Sequence, residues 1–345
     1  MITYRYRIKD SNDRKWLKSI AGKVNHAWNL AQDLKLTHHK ETEEWLNHNS
    51  LRKQIKVEGL HSGTTQEVIK EYTRKCFQFK KAKLKWRTGK KNLGWIPCTN
   101  QAVKIDEKTG NFKFMKREFS VWYSRRIQGK VMCVSLAEDS RGRWYINIVC
   151  ENSEQREHGD RVIGVDLGCK DQLTCSDGVK YSRENLTKKY AEKLAKAQRA
   201  RKKKQTKSIH AKIANSRQDW NHKTTTELCE TSKKIVVGDI GSKGLMRTKL
   251  AKSIADAGHA QIKTMLEYKA LRHNIDLQIV SERFSTLTCS SCSSRTGPSG
   301  LSGLGVRFWE CSECGANHDR DVNAALNILK SVQDIARQSR ESHEL

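Results

Sequence analysis

The chain is poor in proline, in acidic residues and in long apolar runs. Only two of its 345 residues are proline. No repeat, low-complexity tract or Pro/Gly-rich linker divides it, so it is not an array of modules on flexible tethers. Asp and Glu number 38 against 66 Lys and Arg, a formal net charge of +28. An excess of that size marks a polyanion-binding protein. A membrane surface is the competing partner for a basic chain. No apolar run approaches the roughly twenty residues of a membrane-spanning helix. The opening MITYRYRIKD alternates like a strand and lacks the apolar core of a signal peptide. The expectation is a soluble intracellular protein with no membrane partner. The length allows two or three domains and a sizeable core.

Cysteine is plentiful, at eleven residues. Cys289/Cys292 and Cys311/Cys314 form two C-x2-C pairs around an eighteen-residue spacer. Four thiolates at that spacing make a closed tetrahedral zinc site, which implies structure and not catalysis. The other seven (Cys76, Cys98, Cys133, Cys150, Cys169, Cys175 and Cys229) follow no spacing. Without a secretion signal they read as reduced thiols.

Residues 2–9 read as a strand and 11–40 as a helix, with Ser11, Asn12 and Asp13 as candidate caps. Helix continues to about residue 85. Lys81, Lys83, Lys85 and Arg87 then form a basic run around Trp86. A charge run is usually a solvated face; the net charge favours phosphate contact with base stacking on the tryptophan. Residues 100–150 alternate between TG, QG and RG turns, a small antiparallel region that suits a barrel. The N-terminal strand joins it, with the helical segment inserted between.

From residue 161 the pattern becomes α/β. RVIGVDLG is an apolar strand, QLTCSDGVKYS is a second strand with an Asp177–Gly178 turn, and the two are expected to form a hairpin. Residues 184–232 read as one long polar helical stretch with Arg199, Arg201, Lys202, Lys203 and Lys204 packed together. KKIVVGDI (233–240) and DLQIVSE (276–282) are buried strands either side of a helix at 247–273. A hairpin followed by strand–helix–strand fits an RNase H-like sheet.

Two acids interrupt apolar surroundings. Asp166 sits inside IGVDLG, where a lone carboxylate is costly unless paired or metal-bound. Its bland reading is a turn Asp. Asp321 opens the apolar helix after HDR; its bland reading is an acid favoured by the helix dipole, and Asp319 could serve as that cap equally well. Two-metal phosphodiester hydrolysis needs such carboxylates to converge.

GVDLG, CSSC…CSECG and HDRDVNAALNIL, in this order, resemble the TnpB family. These are RNA-guided nucleases of insertion sequences, related to type V CRISPR effectors and to Fanzor proteins. The resemblance is strong over 161–330 and looser before. It implies an α+β multidomain fold. A small β-barrel (wedge) domain would span 1–10 and 96–157, with a helical recognition domain inserted at 11–95. An RNase H-like (RuvC) α/β nuclease domain would span 158–288 and 315–335, with a zinc ribbon inserted at 289–314 and a tail at 336–345. Asp166 would be the first RuvC carboxylate and Asp321 the third. Mg2+ or Mn2+ would be the catalytic ion and zinc the structural one. The partners would be a transposon-derived guide RNA and a target double-stranded DNA bearing a short adjacent motif. The protein would act as a monomer in a ribonucleoprotein, in prokaryotic cytoplasm at the nucleoid. The insertion carrying Arg199 to Lys204 would lie near the RNA–DNA heteroduplex.

The second carboxylate is where the chain departs. The family places Glu then Asp at the end of the middle strand, and this chain has Gly238 and Asp239. Either the nuclease is dead, leaving an RNA-guided binding protein, or another acid substitutes. Strands 233–240 and 276–282 flank one helix, so they are expected to be parallel neighbours. Glu282 then ends beside position 238. Family branches with a relocated Glu favour it. Asp239 is the runner-up, but strand alternation turns it the other way. A transposase is a further rival, since one fold hosts both chemistries.

Overall fold

The structure, a computed structural model, describes residues 1–9, 13–151, 155–239, 251–299 and 302–341. Ser11, Asn12, Ile240, the start of the expected helix at 247–250 and the last four residues of the expected tail lie outside them. Two units divide the chain, Met1–Ser153 and Glu154–Leu345. Among the described residues no helix is long and apolar enough to cross a membrane.

In the first unit the order is β1 (Ile2–Arg7), α1 (Arg14–Thr42), α2 (His48–Gln54), α3 (Ser62–Phe79), β2 (Trp95–Cys98), β3 (Val103–Ile105), β4 (Phe112–Phe114), β5 (Arg117–Phe119), β6 (Lys130–Glu138) and β7 (Trp144–Glu151). Alternation sets the main sheet. Trp144, Ile146, Ile148 and Cys150 are buried on one face of β7, as are Tyr4 and Tyr6 on β1. The sheet runs β1-β7-β6-β2, and β3-β4-β5 form a separate small sheet.

No closed barrel forms among the described residues: β1 and β2 remain edges. The reason is that the helices cover the apolar face. Leu17, Ile20, Val24, Ala27 and Trp28 of α1 recur at helical spacing and share one core with Val68 and Tyr72 of α3 and with the sheet. Ring closure is not needed to bury it. Helix also stops earlier than residue 85. Lys80 adopts a left-handed φ of 50° that closes α3. The chain then runs along α1, held by Gln32 on the Leu84 amide and Asn29 on the Arg87 amide.

In the second unit the order is β8 (Arg161–Asp166), β9 (Asp171–Cys175), β10 (Lys180–Ser182), α4 (Leu186–Lys189), α5 (Ala191–Arg199), α6 (Lys203–Thr231), β11 (Ser232–Gly238), α7 (Ala251–Ala257), α8 (His259–His273), β12 (Asp276–Val280), β13 (Phe308–Glu310), β14 (Asn317–Asp319) and α9 (Arg320–Glu341). One mixed sheet runs β10-β9-β8-β11-β12. β8, β11 and β12 are parallel, while β9 is antiparallel to β8 and to β10. The antiparallel β8–β9 pair is the expected hairpin, and the Asp177–Gly178 turn splits its second stretch into β9 and β10. Gly258, at φ 73°, splits the expected helix into α7 and α8. Arg201, at φ 49°, likewise breaks the polar helical stretch, so the basic block is a corner between α5 and α6.

The sheet is buried on both faces. Ile163, Val165, Ile235 and Val237 pack with Leu228 of α6 and Ile262 and Leu266 of α8. Val236 packs on the opposite side against Ile328 and Val332 of α9. α9 lies so close to β8 that a Cβ on Gly164 would run into the Ala325 carbonyl and stand 2.9 Å from the Leu329 amide nitrogen. The small Ala324 and Ala325, both fully buried, make that approach possible.

Candidate functional site

Asp166 is the last residue of β8. Burial, then repulsion from Glu282 and Asp321, pushes its carboxyl up to about 7, with Arg320 opposing. The turn after it is pinned where His259 meets the Gly168 carbonyl at 2.8 Å.

Gly238 is paired in register with Val280, so Glu282 emerges two residues beyond that pairing. A Cβ built on Gly238 would stand 3.3 Å from both Cβ and Oε2 of Glu282, and 2.9 Å from Cδ1 of Ile328. The Glu282 side chain thus occupies the space over position 238. Burial raises its carboxyl pKa, and Asp239 adds to this while Lys263 opposes it. Asp239 itself is exposed and paired with Lys263.

Asp321 lies in the first turn of α9, yet it is not the cap. Asp319 takes that role: its Oδ1 accepts from the Asp321 and Val322 amides at 3.0 and 3.1 Å, and its Oδ2 pairs with Lys180 at 2.6 Å. The Asp321 carboxylate is left to face Asp166, and Arg307 donates to its Oδ2 at 2.8 Å. Three half-buried carboxylates, from β8, the segment just after β12 and α9, therefore share one edge of the sheet. Their hard oxygens suit Mg2+ or Mn2+.

Among the described residues, only the four cysteines bring all their donor atoms within 4.8 Å of one another. Cys289 and Cys314 Sγ are 3.7 Å apart, and Cys292 and Cys311 Sγ 3.6 Å. Tetrahedral zinc with bonds of about 2.3 Å requires sulfurs about 3.8 Å apart, so the quartet fits zinc. Each C-x2-C turn closes alike, Ser293 onto Cys289 and Gly315 onto Cys311, with Ser293 and Gly315 at φ 66° and 68°. Hydroxyls of Ser294 and Thr296 pull the Cys311 thiol down to about 5, towards the thiolate that binds metal. His318 Nε2 lies 3.1 Å from Cys289 Sγ, outside the quartet.

Two family profiles match this unit and the strand leading into it. One, described as "Probable transposase", matches residues 145–249, and the other, "Cas12f1-like, TNB domain", matches 259–328. A "Putative RNA-guided DNA endonuclease" of Streptomyces pristinaespiralis is 34% identical over 211 residues, covering 57% of this chain and 52% of its own. Another of that description, InsQ of Escherichia coli K12, is 27% identical over 260 residues, covering 66% and 64%. "TnpB-like protein L79" of Acanthamoeba polyphaga mimivirus is 27% identical over 43% of this chain and 28% of its own. Over these spans the chain is similar to TnpB-like proteins. The match spans about half to two thirds of the first two relatives. A solved Cas12f1–sgRNA–target DNA complex aligns with TM-score 0.40 and 15% identity, covering 95% of this chain and 99% of that one.

The chain displays its basic residues unevenly. Lys81, Lys83, Lys85 and Trp86 are exposed, as are Arg199, Arg201, Lys202, Lys203 and Lys204. Arg87 is not: its guanidinium lies 5.4 Å from the Trp28 ring centre and 5.3 Å from that of Trp95, and its Nε donates to Asn25. It is a packing residue of the first unit. Sequence reasoning missed Arg307, Lys263 and a pair of asparagines, the buried Asn323 and the half-buried Asn327. The asparagines had left a signal: two polar residues four apart on an apolar helix need partners.

Proposed function

We propose that this chain is an RNA-guided DNA endonuclease whose centre is Asp166, Glu282 and Asp321. The observation that carries the reading is the Glu282 side chain in the space over Gly238, beside Asp166. Asp166 and Asp321 hold the fixed ends of the site from a buried strand and a capped helix. Glu282 supplies the middle carboxylate from the segment that leaves the neighbouring strand. Two Mg2+ or Mn2+ ions bound there would activate water and stabilise the leaving oxygen. The cysteine quartet holds structural zinc. A transposon-derived guide RNA selects the DNA by pairing, and the exposed Lys81–Trp86 and Arg199–Lys204 groups contact backbone phosphates. The first unit reads the adjacent motif.

The test is cleavage of a guide-matched plasmid library by the protein with its RNA, alongside Asp166→Ala and Glu282→Ala. Wild type should cut, and both variants should bind without cutting. A second reading, an RNA-guided binder with a dead centre, is favoured by the ion pair that ties Asp321 to Arg307. Wild type that binds matched DNA but never cuts with either ion would establish it.

A further inference from the structure

Asn323 is 1% exposed and lies two residues beyond Asp321 on α9. Its side-chain oxygen accepts from the Ser290 amide at 2.8 Å. Its amide nitrogen donates to the carbonyls of Thr288 at 2.8 Å and Ser285 at 3.3 Å. One turn on, Asn327 donates to the same carbonyls at 2.6 and 2.8 Å. Lys330 reaches the Ser290 carbonyl from the next turn.

All these contacts fall on 285–290. That segment begins beside Glu282, whose carbonyl accepts from the Ser285 amide at 3.0 Å. It ends at Cys289 and Ser290, inside the first C-x2-C turn. It has no strand or helix of its own, and Phe284 within the connection sits at a left-handed φ of 66°. The backbone that carries Glu282 into the cysteine site is therefore fixed from outside, by one face of the helix whose first turn carries Asp321. Losing the Asn323 amide takes the side-chain acceptor from the buried Ser290 amide and leaves the Thr288 and Ser285 carbonyls to Asn327 alone.

We propose that Asn323, supported by Asn327, is a positioning residue that sets Glu282 against Asp321 and couples the cysteine site to the carboxylates. This rests on the reading of Asp166, Glu282 and Asp321 as the divalent-ion ligands. The rigid α9 acts as a common jig for both sites. Loss of a group that orients a metal ligand typically weakens metal affinity about 10- to 100-fold.

The experiment measures Mn2+ binding to the full chain by electron paramagnetic resonance of the free ion. Wild type, Asp166→Asn, Asn323→Ala and Asn327→Ala are compared, with zinc content and melting temperature followed in parallel. Mn2+ affinity should fall about tenfold or more in Asn323→Ala, and less in Asn327→Ala, with one zinc per chain retained. Asn327→Ala is the deciding arm if Asn323→Ala fails to fold. Unchanged Mn2+ affinity in the folded variants overturns the proposal. So does zinc loss in step with Mn2+ loss, because that is a merely structural role. Wild type without a Mn2+ site sensitive to Asp166→Asn gives a different result: it removes the functional reading itself, and this coupling with it.

Discussion

Glu282 and Gly238 share one volume: Oε2 of the acid stands 3.3 Å from where a side chain on the glycine would begin. Glutamates at both positions would therefore crowd one another. Glu282→Ala should lower single-turnover cleavage by about 10²- to 10³-fold, the scale of removing one transition-state-stabilising group. Gly238→Glu in the wild-type background should also lower it, by crowding. The two changes together should recover part of the loss. A double variant no faster than Glu282→Ala alone would sink the shared-volume account.

Asp319 and Asp321 sit two residues apart with separable tasks. Asp319→Ala removes the cap of α9 and should cost about 1 kcal/mol, read as a lower melting temperature. Asp321→Asn should leave melting nearly unchanged and abolish cutting. It should also return the Asp166 carboxyl towards the ordinary carboxylate range, since one repelling neighbour is gone. A carbon-13-labelled aspartate titration checks that sign.

Gly164 is required by contact and not by backbone angle. An added methyl meets the backbone of α9, which cannot swing aside as a side-chain tip can. Gly164→Ala should destabilise the second unit by about 1–3 kcal/mol, the range for overpacking a core. Urea unfolding of the variant measures it, and a neutral result would mean that α9 stands further from the sheet than described.

Lys269 on α8 is buried and donates to the His222 carbonyl and to the hydroxyls of Thr225 and Thr226. Burial brings its pKa down to about 8, against about 10.4 for an unfolded lysine. Below pH 8 both states hold the proton. Above it the native state releases first, so the unfolded state binds more protons and stability rises with pH until about 10.4. The rise is on the order of 3 kcal/mol at most. Lys269→Met should remove this slope, seen as the wild-type-minus-variant difference in urea midpoint from pH 7.5 to 10.

Much of this placement was legible in the chain. Asp166 stood out because an acid inside IGVDLG has no local reason to be there. The cysteine quartet followed from spacing alone. That strands 233–240 and 276–282 would run side by side came from topology, and the register bears it out. Other features were hidden because they depend on distant partners. Arg87 belongs to a basic run by composition, yet Trp28 and Trp95 enclose it. The break at Arg201 is a single left-handed residue within a helical composition. The barrel reading failed because alternation shows that a sheet has a buried face, not what covers it. Here helices α1 and α3 do.

The parallel register of Gly238 with Val280 has a consequence for descent. On adjacent parallel strands, the same point in space can be furnished from either of two places in the gene. Moving an acid from one address to the other passes through a crowded pair if the gain comes first, and through a site short of one acid if the loss does. A comparison that scores columns would count Gly238 as a lesion. One that scores positions in space would find an acid there.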